Sequence, residues 1–154
     1  MLRAWFVGEG SLLVRCADAL KTRGHVVAGT ATTDSTVRDW AAAQGIPAVA
    51  IDDGLAARLT AEPFDYLFSI VNLSKFGDEI IAAPTRAAIN FHDGPLPTYA
   101  GLNTPVWALL AGERRYGVTW HEMTSTVDAG RILVQQFFDV PEDEPAFGLT
   151  SRCY

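Results

Sequence analysis

RAWFVGEGSLLVRCADALKTRG, residues 3–24, carries a strand, a glycine turn and a helix in immediate succession. Arg3 to Val7 is a short apolar run, and Gly8-Glu9-Gly10-Ser11 breaks it. Leu12, Leu13, Cys16, Ala17 and Leu20 then recur at helical spacing on one face, and Gly24 stops the helix. The alternation continues outward. His25 to Ala28 is β-rich, and Ser35 is placed to cap a helix that buries Val37, Trp40 and Ala41 and ends at Gly45. Ala48 to Ile51 reads as a strand, and Leu55, Ala56 and Leu59 as a short helix. Phe64 to Val71 is the strongest strand signal, and Ala87 to His92 is another. Strict alternation of this kind predicts an α/β fold with an open, mostly parallel sheet flanked by helices.

After His92 the pattern changes. Asp93-Gly94-Pro95-Leu96-Pro97 cannot be regular structure, because each proline removes a donor and fixes φ. The loop runs to Gly101, and Thr104 is placed to cap a helix with Pro105 in its first turn, ending at Gly112. Gly117 to Met123 and Ile132 to Phe138 read as strands separated by Asp128-Ala129-Gly130. Pro145, Phe147, Thr150, Cys153 and Tyr154 read as the opening turns of a helix cut short. Residues 1–154 are therefore expected to form one domain belonging to a longer chain.

Composition removes several classes of function. The chain has 154 residues, 49% of them hydrophobic, enough to build a core. Its net charge of −6, with Lys21 and Lys75 the only lysines, makes it a poor phosphate-backbone binder, so no nucleic-acid partner is expected. No apolar run approaches the ~18 residues needed to span a bilayer, and the run after Met1-Leu2-Arg3 stops at Gly8, too early for a secretion signal. Cys16 and Cys153 form neither a disulfide framework nor a metal spacing, so a cytoplasmic protein without a membrane partner is expected.

Few residues are placed to carry chemistry. Gly8-Glu9-Gly10 opens a helix, with Asp34 24 residues beyond Gly10, as in a dinucleotide site. The third glycine position is Leu13, so a tight turn is the better reading. Of the three histidines, His25 reads as solvated and His121 as half-buried strand packing. His92 differs: with Asn90 it shares one strand face, while Ile89 and Phe91 take the other. Two polar groups on an otherwise apolar strand need partners or a purpose, and this strand end is where open parallel sheets place ligands. Asp128, between two strands, could orient and charge the imidazole. His92, Asp93 and Asp128 or His121 make an unconvincing metal set, so none is expected, and no serine or cysteine stands in a nucleophile context.

Asn90-Phe91-His92-Asp93-Gly94-Pro95-Leu96-Pro97, then Gly101, Gly117-Val118-Thr119 and Val127-Asp128-Ala129-Gly130, resemble the 10-formyltetrahydrofolate-dependent formyltransferases. That family includes glycinamide ribonucleotide and methionyl-tRNA formyltransferases, and the likeness runs from about Phe64 to Gln136. The resemblance implies a Rossmann-like catalytic domain with 10-formyltetrahydrofolate as co-substrate and Asn90, His92 and Asp128 as the catalytic set. Asn90 and protonated His92 would donate hydrogen bonds to the formyl oxygen as an amine attacks the carbon, and Asp128 would keep His92 charged. It also implies a folate site on the Asn72–Phe76 and Thr124–Asp128 loops, with Asn72, Leu73, Thr126 and Val127 in contact and Phe76 and Ile81 as apolar walls.

The Asp93–Pro97 segment and Tyr99-Ala100-Gly101-Leu102-Asn103 depart from the better-known members and resemble formylation domains of nonribosomal peptide and polyketide synthases. That version implies an aminoacyl group on a carrier protein as acceptor, with Tyr99 against an incoming pantetheine arm or a neighbouring loop. Glu9 beside the first turn argues against a phosphorylated ribosyl acceptor. The alternatives are methionyl-tRNA, an amino sugar, a siderophore hydroxylamine, water (a formyltetrahydrofolate hydrolase) and a non-catalytic folate-binding module.

Overall fold

A computed structural model describes residues 1–154, which divide into two compact units, Met1–Asn90 and Phe91–Tyr154. In the first, β1 (Arg3–Gly8), α1 (Gly10–Thr22), β2 (Val26–Ala31), α2 (Ser35–Ala43), β3 (Ala48–Val49), α3 (Leu55–Thr60), β4 (Tyr66–Ile70) and α4 (Asp78–Ile81) lead into β5 (Ala87–His92). The second takes the end of β5 and continues through α5 (Thr104–Leu110), β6 (Arg115–Glu122), β7 (Ile132–Asp139) and α6 (Ala146–Cys153). The strands form one seven-stranded sheet in the order β3-β2-β1-β4-β5-β6-β7. Pairing is parallel from β3 through to β5 and antiparallel between β6 and β7.

The chain steps from β1 out to β3, then returns to the other side of β1 with β4. Such a reversal opens a crevice at the carboxyl ends of the strands. Phe6 and Phe68 stack at 5.2 Å between centroids on β1 and β4, and Leu13, Ala17, Val37 and Ala41 bury the inner faces of α1 and α2. In the second unit Ala108, Tyr116, Val140, Leu149 and Cys153 form the core. Burial, with the Asp93 charge adding to it, pushes the Cys153 thiol up to about 12, so this cysteine is an inert packing group.

Helix starts differ from expectation. Asp34, not Ser35, caps α2, its Oδ1 accepting the Thr36 N–H at 2.7 Å. Thr104 opens α5 without capping it; its hydroxyl turns to the carbonyl and the carboxylate of Asp93, each at 3.1 Å. Asp34 is also held by the Gly10 N–H of α1, and Asp93 draws the Thr104 hydroxyl away; both are tertiary partners that local propensity does not contain. The single turn of α4 has too few residues to show a period.

The crossing of β1 and β4 is tight. Gly8 has φ +132° and any Cβ there would land on the Ile70 carbonyl, which accepts the Glu9 N–H at 3.2 Å. Val71, just past the end of β4, takes φ +50°, a conformation β-branched residues rarely adopt. Gly8→Ala is expected to lower unfolding free energy by about 2–3 kcal/mol. Gly10→Ala, at φ +79° in open space, should cost only about 1 kcal/mol. Urea denaturation of the two variants separates the steric contact from the backbone penalty.

Candidate active site

Alternation along β5 buries Ile89 and Phe91 on one side and turns half-buried Asn90 and buried His92 to the other. The His92 ring lies between two acceptors. Its Nε2 stands 2.6 Å from the Tyr99 carbonyl, and its Nδ1 faces Asp128 Oδ1 at 3.7 Å. A carbonyl and a carboxylate can only accept, so a ring protonated at both nitrogens satisfies both.

The loop after β5 is built to hold that ring. Gly94 leaves room: a Cβ there would meet the Tyr99 carbonyl at 2.8 Å and His92 Nε2 at 3.1 Å. Thr119 Oγ1 on β6 donates to the Gly94 carbonyl at 2.7 Å and accepts the Leu96 N–H at 3.1 Å. Gln135 on β7 reaches the Leu96 carbonyl at 2.7 Å. The Tyr99 side chain is committed to its neighbours, edge-on to Tyr116 at 5.6 Å with its hydroxyl donating to Glu113. Its contribution is the carbonyl.

Asp128 comes from the loop between β6 and β7. That loop closes where Gly130 crosses the Glu122 carbonyl so tightly that a Cβ would overlap it. Asp128 sits at φ +56°, tolerated by Asp more than by most residues. Its side chain is 7% exposed, with Oδ2 accepting the Gly101 N–H at 2.8 Å. Burial alone would raise its pKa, but the His121 ring, the Gly101 N–H and the His92 charge outweigh it and hold it below the ordinary carboxylate value.

His121 is the residue the sequence reading misplaced. It is buried rather than half-buried, and its Nε2 lies 3.5 Å from the same Asp128 Oδ1. A signal existed: Thr119 and His121 repeat on β6 the period-two polar face of Asn90 and His92 on β5. No group of three or more His, Cys, Asp or Glu side chains is arranged to hold a metal ion. No helix is long and apolar enough to cross a membrane.

The residues expected at folate are divided between the units. In the first, the Asn72 amide folds its own loop by donating to the Ser74 carbonyl and accepting the Ser74 N–H, each at 3.1 Å. Leu73 is left 83% exposed, while Phe76 and Ile81 are half-buried. In the second, the Thr126 carbonyl accepts from the Thr124 hydroxyl at 2.8 Å and Val127 is 54% exposed.

The first turn is also occupied from within. Asp34 Oδ2 accepts the Gly10 N–H at 2.8 Å at the start of α1, and Glu9 is bonded to the Thr33 hydroxyl. The Gly10 N–H, followed by that of Thr36, holds the Asp34 carboxyl below its usual range. The acidic residue suited to a ribose is spent on the helix terminus itself.

A family profile described as formyl transferase matches residues 3–153. The chain belongs to the formyl transferase family. Methionyl-tRNA formyltransferase of Anaeromyxobacter dehalogenans (strain 2CP-1 / ATCC BAA-258) is 31% identical over 167 residues, covering 98% of this chain and 54% of the relative. The chain thus spans about half the length of the curated relatives it matches. Glycinamide ribonucleotide transformylase 1 from Symbiobacterium toebii superposes with a TM-score of 0.90 at 24% identity, over 99% of this chain and 80% of that one. The N-formyltransferase from Helicobacter canadensis, in complex with folinic acid and dTDP-3-aminofucose, superposes at 0.80 with 19% identity, over 99% and 58%. At those identities the likeness speaks for the fold, the Rossmann-like sheet of this family.

Asp128 carries a pH dependence with a definite sign. Its folded-state pKa lies below the unfolded value near ~3.9, so its contribution is complete above that pH and lost as the pH falls through the folded value. Asp128→Asn should cost about 1–3 kcal/mol at pH 7, with the gap to the parent closing as the pH falls through the lowered folded-state value. Denaturant titrations across that range measure it.

Proposed function

We propose that this domain transfers the formyl group of 10-formyltetrahydrofolate to an amine, with Asn90, His92 and Asp128 as the working set. The observation that carries the reading is the placement of His92 between two acceptors, two residues from Asn90 on one strand face, in a chain of this family. The folate, when bound, supplies the formyl carbon. Asn90 offers its amide N–H, and the His92 ring a proton, to the formyl oxygen as negative charge builds there. Engaging that oxygen through Nε2 requires the ring to exchange the Tyr99 carbonyl for the substrate. Asp128 remains on Nδ1, so the imidazole keeps its orientation. The amine nitrogen bonds the formyl carbon, the bond from that carbon to the folate nitrogen breaks, and the proton the amine gives up passes through this pair to the departing tetrahydrofolate nitrogen.

The residues present fit a reduced folate. Leu73 and Val127 leave apolar surface exposed on irregular loops, and such loops offer backbone donors and acceptors to a pterin edge. Asn72, Phe76, Ile81 and Thr126 complete that reading. The N-formyltransferase structure with folinic acid lends it support by analogy of fold.

The acceptor proposed is an aminoacyl group tethered to a carrier protein. Asp34 and Glu9 fill the start of α1 with negative charge, which disfavours a phosphorylated acceptor there. Leu102, after the Tyr99 turn, and Trp107 on α5 stand exposed, the apolar surface a large partner would cover. A second reading, methionyl-tRNA, is favoured by the 31% identity to a methionyl-tRNA formyltransferase; the −6 charge of this chain opposes it.

Asn90→Ala is expected to lower turnover ~10²–10³-fold while binding of a stable formylfolate analogue persists in calorimetry. Parent-like turnover would remove Asn90 from the set. An assay offering glycinamide ribonucleotide, a nucleotide-linked amino sugar, methionyl-tRNA and an aminoacyl-carrier protein should favour the last. Preference for any of the others overturns the carrier assignment and leaves formyl transfer in place.

A further inference from the structure

Asp128 Oδ1 is faced by two imidazoles, and only one of them has a part in the mechanism above. His121 lies on β6 with its side chain 3% exposed. Its Nδ1 is 2.9 Å from the Glu122 carbonyl, so that nitrogen carries a proton, and its Nε2 points at Asp128 Oδ1 from 3.5 Å. The two rings stand edge to face, 6.4 Å between centroids and 79° between planes, with the carboxylate oxygen reached by both. His92 repeats the arrangement, one nitrogen on a carbonyl and the other on the carboxylate. Oδ2 is taken by the Gly101 N–H.

The remaining charges nearby are committed elsewhere. Glu122 is paired with Arg131 at 3.2 and 2.5 Å, and the Asp93 carboxylate accepts the Thr104 hydroxyl. A buried carboxylate in a left-handed loop residue needs a fixed partner to hold its oxygen at one distance from His92. We propose that His121 is a positioning residue of this site, holding Asp128 in place for the His92 ring through a second contact to the same carboxylate oxygen. The inference rests on the formyl-transfer reading for its consequence, but its geometry stands apart from the choice of acceptor.

The Gly101 amide, bonded to the carboxylate, reports Asp128 ionisation by nitrogen-15 NMR and needs no substrate. In His121→Phe, which keeps ring volume without nitrogens, the midpoint of the Gly101 acid titration should rise by about 0.5–1 pH unit. His121→Gln, which retains an N–H in reach of the carboxylate, should hold the midpoint near that of the parent. Formyl transfer should follow, with kcat falling about 10–100-fold in His121→Phe at unchanged folate KM and recovering in His121→Gln. An unmoved midpoint in a folded His121→Phe overturns the proposal. If that variant does not fold, His121→Asn takes its place, too short to reach the carboxylate, and a Gln midpoint equal to the Asn midpoint overturns it. Failure of the formyl-transfer reading is a different result: Asn90→Ala as active as the parent, with the Gly101 titration unaffected.

Discussion

An imidazole buried at the end of a strand must find an acceptor for each nitrogen it protonates, and the polypeptide after β5 is arranged to meet that demand. The Tyr99 carbonyl supplies one and the Asp128 carboxylate the other. Each acceptor is in turn fixed by structure that has no other evident purpose at its position. Gly94 clears space for the ring, Thr119 ties down the loop that turns back to it, and the left-handed backbone of Asp128 aims the carboxylate inward. A polar centre of this kind is stable only when every member is satisfied, which makes the loop geometry unusually intolerant of single changes.

Backbone order was legible because it is written in periods. The change from period two to period three or four at Gly8, and the glycines after α1 and α2, announce the parallel half of the sheet without tertiary information. The cap of α2 at Asp34 and the diversion of Thr104 from capping α5 were not legible, since the role of each polar residue depends on what else it can reach. For the site, Asn90 and His92 stood out as polar residues on a strand otherwise apolar. His121 did not, although the same rule applies to it. Its partner lies on a loop whose closure depends on Gly130 passing the Glu122 carbonyl, which no strand pattern announces.

At the start of α1 the fold and its side chains disagree. The crevice at the chain reversal is common to α/β sheets and invites an anion at the start of α1. Here that position is filled by the protein's own carboxylate, so what the fold offers generically is withdrawn by side chains from β2's far end and the turn itself.

One consequence concerns how such a protein can change over evolutionary time. Asp34 satisfies two helices at once, accepting the Gly10 N–H of α1 and the Thr36 N–H of α2. A lineage that lost it to admit a phosphorylated acceptor would forfeit an N-cap, a penalty of about 1 kcal/mol before any benefit accrued. Glu9 would still have to go as well, because its carboxylate remains beside the same turn. What this turn can hold and how stable the fold is are therefore coupled at Asp34, and exchanging it for a neutral side chain costs stability before it frees the turn.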